Sequence, residues 1–503
     1  MRLARGFLAL GLLALGVPVT AQAQSAAPPA PRKYTDVRPV PDTPALRRAQ
    51  EVVAVLNSGD PARVKTLVET SFARSFREGV PLEDHLSAFA EWMAWEPPLE
   101  VYGARTYDPP GPPTSAVLVV RSATRDAWRA VVVEVEPQAP HGITSVDMAG
   151  ARLPTGQTAP APIEAAEVAK QLGAYVDRLA KEGLFSGTVL LEKDGKALLT
   201  RAAGIANRDF GAPVRLDTKF NLGSMNKMFT GVAAMLLTQQ GKISLDDPIA
   251  KYLDETWIPK VDKTKVMVKH LLTHTSGLGS YFNDAYDRSS RLLFRSVSDY
   301  KPLVAEETLR FEPGTDTRYS NTGMLIAGAV IEKASGMDYF EFVRRNIYAP
   351  AGMTNTDCYE LDKVNPNLAV GYERRMTATG LVWRNNIFDH VLRGGPAGGG
   401  YSTVEDLDRF ATALRSGKLL NAASRDELLK PRPEIGSPDY GLGFGVDQTP
   451  LGRRVGHSGG FLGISANLDI YLDTGWTVAV LSNLGGAAQV VTQKANGLIL
   501  QGR

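Results

Sequence analysis

Apolar residues change period along the first third of the chain. Leu46, Ala49, Val53 and Leu56 recur at three- and four-residue steps, the spacing of one helix face. Asp60 followed by Pro61 reads as an N-cap with proline at the first helical position, so a second helix starts there. A third is predicted from Leu82 to Trp95. The pattern then turns to strands, from Ser115 to Arg121, Trp128 to Glu136 and Gly142 to Met148. Helices first and strands after predict a small α+β domain over residues 45–152. Residues 153–162 carry three prolines and a glycine with few apolar positions, which reads as a linker.

A large domain is predicted over residues 163–503. It opens with a helix on Ile163, Ala166, Ala169, Leu172, Val176 and Leu179. A hairpin follows, Gly187 to Lys193 and Lys196 to Ala203, around Asp194-Gly195. The middle reads as mostly helical. Near the end come strands from Gly441 to Val446, Phe461 to Leu472 and Thr477 to Asn483, with Asp473-Thr474-Gly475 as a turn. A last helix covers Ala487 to Leu500. Strands at both ends with helices between them predict one antiparallel sheet built from both ends, flanked by helices and joined by a helical lobe. The cleft between sheet and lobe is the place for chemistry.

Length and charge narrow the picture. A chain of 503 residues is too long for one ordinary domain, and 44% hydrophobic with 22% charged residues is globular. Arg2 and Arg5 precede an apolar stretch from Gly6 to Val19, and Ala21-Gln22-Ala23 fits a small-residue cleavage site. Residues 1–23 therefore read as a signal peptide. The stretch falls short of the ~20 residues a bilayer span needs, so no stable span is expected after cleavage. Removing it takes the formal charge from +2 to 0, which gives no reason to expect a nucleic-acid partner. A periplasmic or secreted location is expected. Residues 24–44 are proline-rich and read as a disordered lead. Cys358 is the only cysteine, so no intrachain disulfide exists, and it reads as a packed residue. The small domain carries no catalytic constellation, and packing, binding or oligomerisation is its expected role.

Candidate chemistry centres on Ser224 and Lys227, three residues apart in Phe220-Asn221-Leu222-Gly223-Ser224-Met225-Asn226-Lys227. The apolar-rich run from Met228 to Leu237 follows. On a helix both groups share a face, and the lysine can act on the weakly nucleophilic serine. The other Ser-x-x-Lys, Ser298 to Lys301, precedes Pro302, which disfavours helix at Lys301. Gly456-His457-Ser458-Gly459-Gly460 matches a nucleophile elbow, but His457 is the last histidine, so no triad histidine can follow. His270 and His274 are four apart without a third ligand in view, so no metal is expected and both read as structural. No P-loop signature occurs, and no cofactor is expected. Tyr319 in Tyr319-Ser320-Asn321 would lie in a loop at a helix entrance. Tyr281 in Tyr281-Phe282-Asn283 is its rival.

The order Ser-x-x-Lys, Tyr-x-Asn, then His457-Ser458-Gly459 resembles the penicillin-recognising serine hydrolases. It is most similar to the group of class C β-lactamases, D-alanyl-D-alanine carboxypeptidases and related esterases. Three phrases support it: His270-Leu271-Leu272-Thr273-His274-Thr275-Ser276-Gly277-Leu278, Phe311-Glu312-Pro313-Gly314, and Ala397-Gly398-Gly399-Gly400-Tyr401-Ser402-Thr403. The resemblance covers the large domain only. The small domain's element order resembles nuclear-transport-factor-like folds.

The resemblance implies the sheet-plus-lobe architecture and acyl transfer through Ser224, Lys227 and Tyr319. It also implies an oxyanion hole from the N–H groups of Ser224 and Gly460, with Asn321, His457 and Gly459 on the substrate. Lysine has an ordinary pKa of ~10.4, and making Lys227 half-neutral at pH 7 takes about 4.6 kcal/mol, which a buried site near another cation can supply. The alternative keeps Lys227 charged and makes Tyr319 the base, and the sequence leaves both open. Many β-lactamases have Lys-Thr-Gly where this chain has His457-Ser458-Gly459. A group titrating near neutrality thus replaces a permanent cation, and efficient β-lactam hydrolysis is not expected. The expected activity is hydrolysis of a small-molecule or peptide ester or amide, D-amino-acid peptides included. The alternative is a non-catalytic penicillin-binding receptor or scaffold of the same fold.

Overall fold

The computed structural model describes residues 32–377 and 380–502. The signal-peptide expectation lies outside the described residues. Among the described residues no helix is long and apolar enough to cross a membrane.

The first unit is built as patterned, with additions. Helix α1 (Pro44–Ser58) starts where Thr43 accepts a hydrogen bond from the Leu46 N–H and ends at Gly59 in the left-handed region. Helix α2 (Pro61–Ser71) is capped by Asp60, which accepts from the Ala62 N–H. A short α3 (Arg74–Gly79) precedes α4 (Leu82–Trp95). The sheet is an antiparallel meander: β1 (Lys33–Val37), β2 (Leu99–Asp108), β3 (Ser115–Ser122), β4 (Ala127–Val135) and β5 (Ile143–Gly150). Val52, Leu56, Val64 and Phe89 from the helices pack on Leu118 and Val131 of the sheet.

Strand β1 corrects the expected disordered lead. Lys33 to Val37 pairs with β2 from Asp108 to Ala104, and Asp36 forms a buried ion pair with Arg105 at 2.8 Å. The segment is polar, so only its long-range partner reveals it. Strand β2 escaped the periodic reading because a register shift between Val101 and Gly103 breaks its alternation.

The large unit begins with α5 (Ala165–Lys181) and the hairpin β6 (Gly187–Lys193) and β7 (Lys196–Ala203). Asp194 and Gly195 both have positive φ, 52° and 81°, as a two-residue hairpin turn requires. The six-stranded sheet runs Gly445–Thr449, Gly452–Phe461, Ile464–Tyr471, Trp476–Ser482, β6, β7. Trp476–Ser482 pairs antiparallel with β6 in the register Ser482 to Gly187, so the sheet is indeed made from both ends of the unit. Its side chains alternate between two cores. Val478 and Val480 pack with Leu172, Val176 and Leu498 of the outer helices α5 and Ala487–Gln501. Ala479 and Leu481 pack with the helical lobe.

Two expectations shift here. The strand expected from Gly441 starts at Gly445, because Gly441 to Phe444 form a turn closed by the Gly441 N–H on the Phe444 carbonyl. The helical middle contains a hairpin, Tyr372–Thr377 with Gly380–Asn385, which the reading of the middle as mostly helical did not separate. The two units meet where Trp95 enters the core of the outer helices and Arg178 donates to the Thr124 carbonyl at 2.8 Å.

Candidate active site

A short strand, Phe220–Asn221, pairs with Tyr401–Ser402 and delivers the chain into a tight turn, Gly223–Met225. Helix α6 (Asn226–Gln239) follows directly. The helix threads the core, and Asn226 to Leu237 are all buried. Lys227 is therefore 0% exposed. Its Nζ lies 3.1 Å from Ser224 Oγ, 2.8 Å from Asn321 Oδ1 and 2.6 Å from the Ala397 carbonyl. Desolvation holds the Lys227 ammonium well below the ordinary lysine value. A neutral amine has two N–H groups and one lone pair. Asn321 Oδ1 and the Ala397 carbonyl can only accept, so in the neutral form they would take the two N–H groups and turn the lone pair toward Ser224 Oγ.

Tyr319 stands just before the helix Asn321–Ser335, whose N-cap Ser320 accepts from the Gly323 N–H at 2.8 Å. Lys227 Nζ is 4.7 Å from the Tyr319 ring centroid. Desolvation raises the Tyr319 phenol above its ordinary value, and a hydrogen bond with Ser224 works against that rise. The residue is 47% exposed, so solvent moderates the rise on one side. The phenol is protonated at neutral pH. Asn321 spends its oxygen on Lys227 and donates from Nδ2 to Ser280 Oγ at 3.2 Å. Its rival Tyr281 is buried in an aromatic cluster with Tyr300, ring centroids 5.0 Å apart.

The strand Gly452–Phe461 forms the opposite wall. A Cβ on Gly459 would stand 1.8 Å from the Leu222 carbonyl oxygen and 3.1 Å from the Ser224 nitrogen. A Cβ on Gly223, at φ 51°, would stand 2.9 Å from the Gly460 nitrogen. Only glycines let these two backbones approach, and the approach brings the Gly460 and Ser224 nitrogens to the Gly223–Met225 turn. Gly456 to Gly460 lie within the strand, with a further strand after them, so no nucleophile elbow exists there.

His457 corrects an expectation. Its Nδ1 faces the Ser458 carbonyl, which can only accept, so the proton is on Nδ1. Its Nε2 lies 2.8 Å from the Tyr440 hydroxyl and accepts from it. Burial, the leading cause, pushes its pKa well below the ordinary histidine value, and the Ser458 carbonyl works against it. The group is neutral near pH 7 rather than titrating there. No sequence signal pointed to Tyr440. Ala397 lay in a quoted phrase, but its carbonyl had no assigned task.

The family profile described as Beta-lactamase matches residues 169–501. The chain belongs to the β-lactamase family. It is similar to a penicillin-binding protein of Bacillus subtilis, 31% identical over 62% of this chain and 71% of that protein. Esterase EstB of Burkholderia gladioli is 29% identical over 56% of this chain and 80% of its own. A teichoic acid D-alanine hydrolase of Staphylococcus aureus is 27% identical over 63% of this chain and 74% of its own. Among solved structures, the penicillin binding protein from Bacillus halodurans superimposes with a TM-score of 0.59 at 29% identity, covering 64% of this chain and 98% of its own. The family match lies wholly in the large unit.

Within this β-lactamase-family unit the rival motifs fall away. Ser298 bonds Ser296 Oγ, while Lys301 Nζ donates to Thr256 Oγ1 at 2.7 Å. Lys301–Val304 is nonetheless a short helix, against the expectation from Pro302. A proline in the first helical turn forfeits no internal hydrogen bond. His270 accepts the Met267 N–H at its Nδ1, and among the described residues no group of three or more His, Cys, Asp or Glu could hold a metal. Cys358 is buried, its thiol pushed up to about 12 by desolvation, and it accepts from Asn226 Nδ2.

Proposed function

We propose that the protein is an exported serine hydrolase that forms an acyl-enzyme on Ser224 and hydrolyses esters or amides that lack a carboxylate, D-amino-acid derivatives among them. The observation that carries this reading is the Lys227 amine, fully desolvated and held between Ser224 Oγ and two permanent acceptors. Lys227 takes the Ser224 proton as Oγ attacks the carbonyl carbon. The carbonyl oxygen takes the electron pair and is stabilised by the N–H groups of Ser224 and Gly460. The leaving group departs with a proton handed on through Tyr319, whose protonated phenol suits it as donor. Water then attacks the acyl-enzyme by the reverse relay. Asn321 positions Lys227 and, from the same edge of the cleft, the substrate amide.

The substrate class follows from His457. Both ring nitrogens are engaged and the ring is neutral, so this position offers no cation to a carboxylate. That disfavours β-lactams and favours acyl donors without a carboxylate. The similarity to an esterase and to a D-alanine hydrolase supports the same class. The test is intact-protein mass spectrometry after incubation with esters, D-amino-acid amides and a penicillin, beside a chromogenic ester assay. An acyl adduct with the ester or amide is expected on wild type and absent from Ser224→Ala. Equal turnover by both proteins would remove Ser224 as nucleophile. A stable penicillin adduct with no ester turnover would favour the receptor reading.

A further inference from the structure

Four rings crowd the end of the site. His274 is central among them, 4.4 Å from the Tyr319 ring centroid and 4.8 Å from that of Tyr440. It follows the helix Val268–Leu272 and adopts φ 63°, in the left-handed region. Its carbonyl accepts the Arg318 N–H at 2.9 Å, and its Nδ1 accepts the Ser320 N–H at 3.2 Å. The residues on both sides of Tyr319 thus hang on this one histidine, and the Tyr319 ring packs on its imidazole.

Because Nδ1 accepts, the imidazole proton is on Nε2. That atom is buried, and among the described residues no protein group pairs with it. Phenylalanine would supply the same packing without a buried N–H. Ring packing therefore does not explain a histidine here, whereas the Nδ1 acceptor does.

We propose that His274 is a positioning residue for acyl transfer, fixing the Tyr319 backbone through two hydrogen bonds and its ring by stacking, so that the phenol stays within reach of Ser224. It acts through Tyr319 and does not touch substrate. The proposal rests on the role given to Tyr319 above. Small displacements of a proton-transfer group carry large rate penalties, because reaction needs the hydrogen-bonded geometry at the moment of transfer.

The test compares His274→Ala, His274→Asn and His274→Phe in wild-type and Tyr319→Phe backgrounds, with kcat, KM and Tm for each. Asparagine tolerates the left-handed region and places an acceptor oxygen where Nδ1 stands. His274→Ala is expected to lower kcat on the order of 10- to 100-fold with little change in KM. His274→Asn should recover most of that loss, and His274→Phe should not. In the Tyr319→Phe background, His274→Ala should cost little more, since its route of action is already gone. Wild-type kcat in His274→Phe would overturn the proposal, leaving packing as the whole role. So would an Asn variant as poor as Ala, or an equal fold-loss in both backgrounds. If the Ala variant does not fold, the Asn and Phe pair decides the question at matched Tm. A fully active Tyr319→Phe single variant would instead overturn the Tyr319 role, which is a separate outcome.

Discussion

At the scale of residues, Lys227 ties burial to reactivity. An ammonium with no carboxylate beside it and no solvent is costly, so folding drives the Lys227 pKa down. The linkage has a definite sign. The folded pKa is lowered beneath the unfolded value of ~10.4, so between the two the unfolded chain binds more protons and native stability rises with pH. Wild type should therefore gain stability relative to Lys227→Met as pH is raised from 7 toward ~10, by denaturant midpoints at each pH. A flat difference would mean that Lys227 keeps its proton in the fold. Lys227→Met should also lower kcat/KM for an ester by roughly 100-fold or more, the usual scale of general-base loss. Ser224, Lys227 and Tyr319 were legible because each belongs to a short local spacing next to a helix signal. Ala397, His274 and Tyr440 were not assigned as site residues. They reach the site from segments far apart in sequence, and no local pattern records that meeting.

At the scale of elements, the site depends on a strand and a helix turn approaching at backbone contact. Gly459→Ala would drive a Cβ to 1.8 Å from the Leu222 carbonyl, so something must move. We expect a loss of about 1–3 kcal/mol in unfolding free energy, with turnover falling more than stability alone explains. Gly460→Ala is the control, since its nearest contact to a Cβ is 3.9 Å, and it should be milder on stability by the same melt. The helices were well read from their sequence, because caps such as Thr43 and Asp60 and a helical apolar period are local. Strands with a bulge or a polar lead, β1 and β2, were not, because their evidence is the partner strand.

At the scale of the whole molecule, Trp95 and Arg178 fasten the small unit to the outer helices of the large one. Glu96 stands near that seam, 0% exposed, with Arg125 at 2.6 Å and Arg129 at 3.0 Å. Removing it strands two guanidinium groups in a buried place. Glu96→Ala should destabilise the protein by about 3 kcal/mol, read by urea unfolding, while KM for an ester changes little. An unaltered midpoint would show that the pair adds nothing to the fold. The sequence by itself pointed to a small sheet-bearing unit before the large one, to helices such as Pro44–Ser58 and Pro61–Ser71, to the hairpin at Asp194-Gly195, and to Ser224, Lys227 and Tyr319 as candidates. The caps, the hairpin turn and the Ser-x-x-Lys spacing rest on neighbours within a few positions, whereas Tyr319 needed the order of motifs along the large unit. The tertiary structure alone decided that Lys227 is desolvated and bonded to the Ala397 carbonyl, that His457 is neutral against Tyr440, and that His274 packs beside Tyr319. Those are consequences of what is packed against a group, and packing joins residues that the chain keeps far apart.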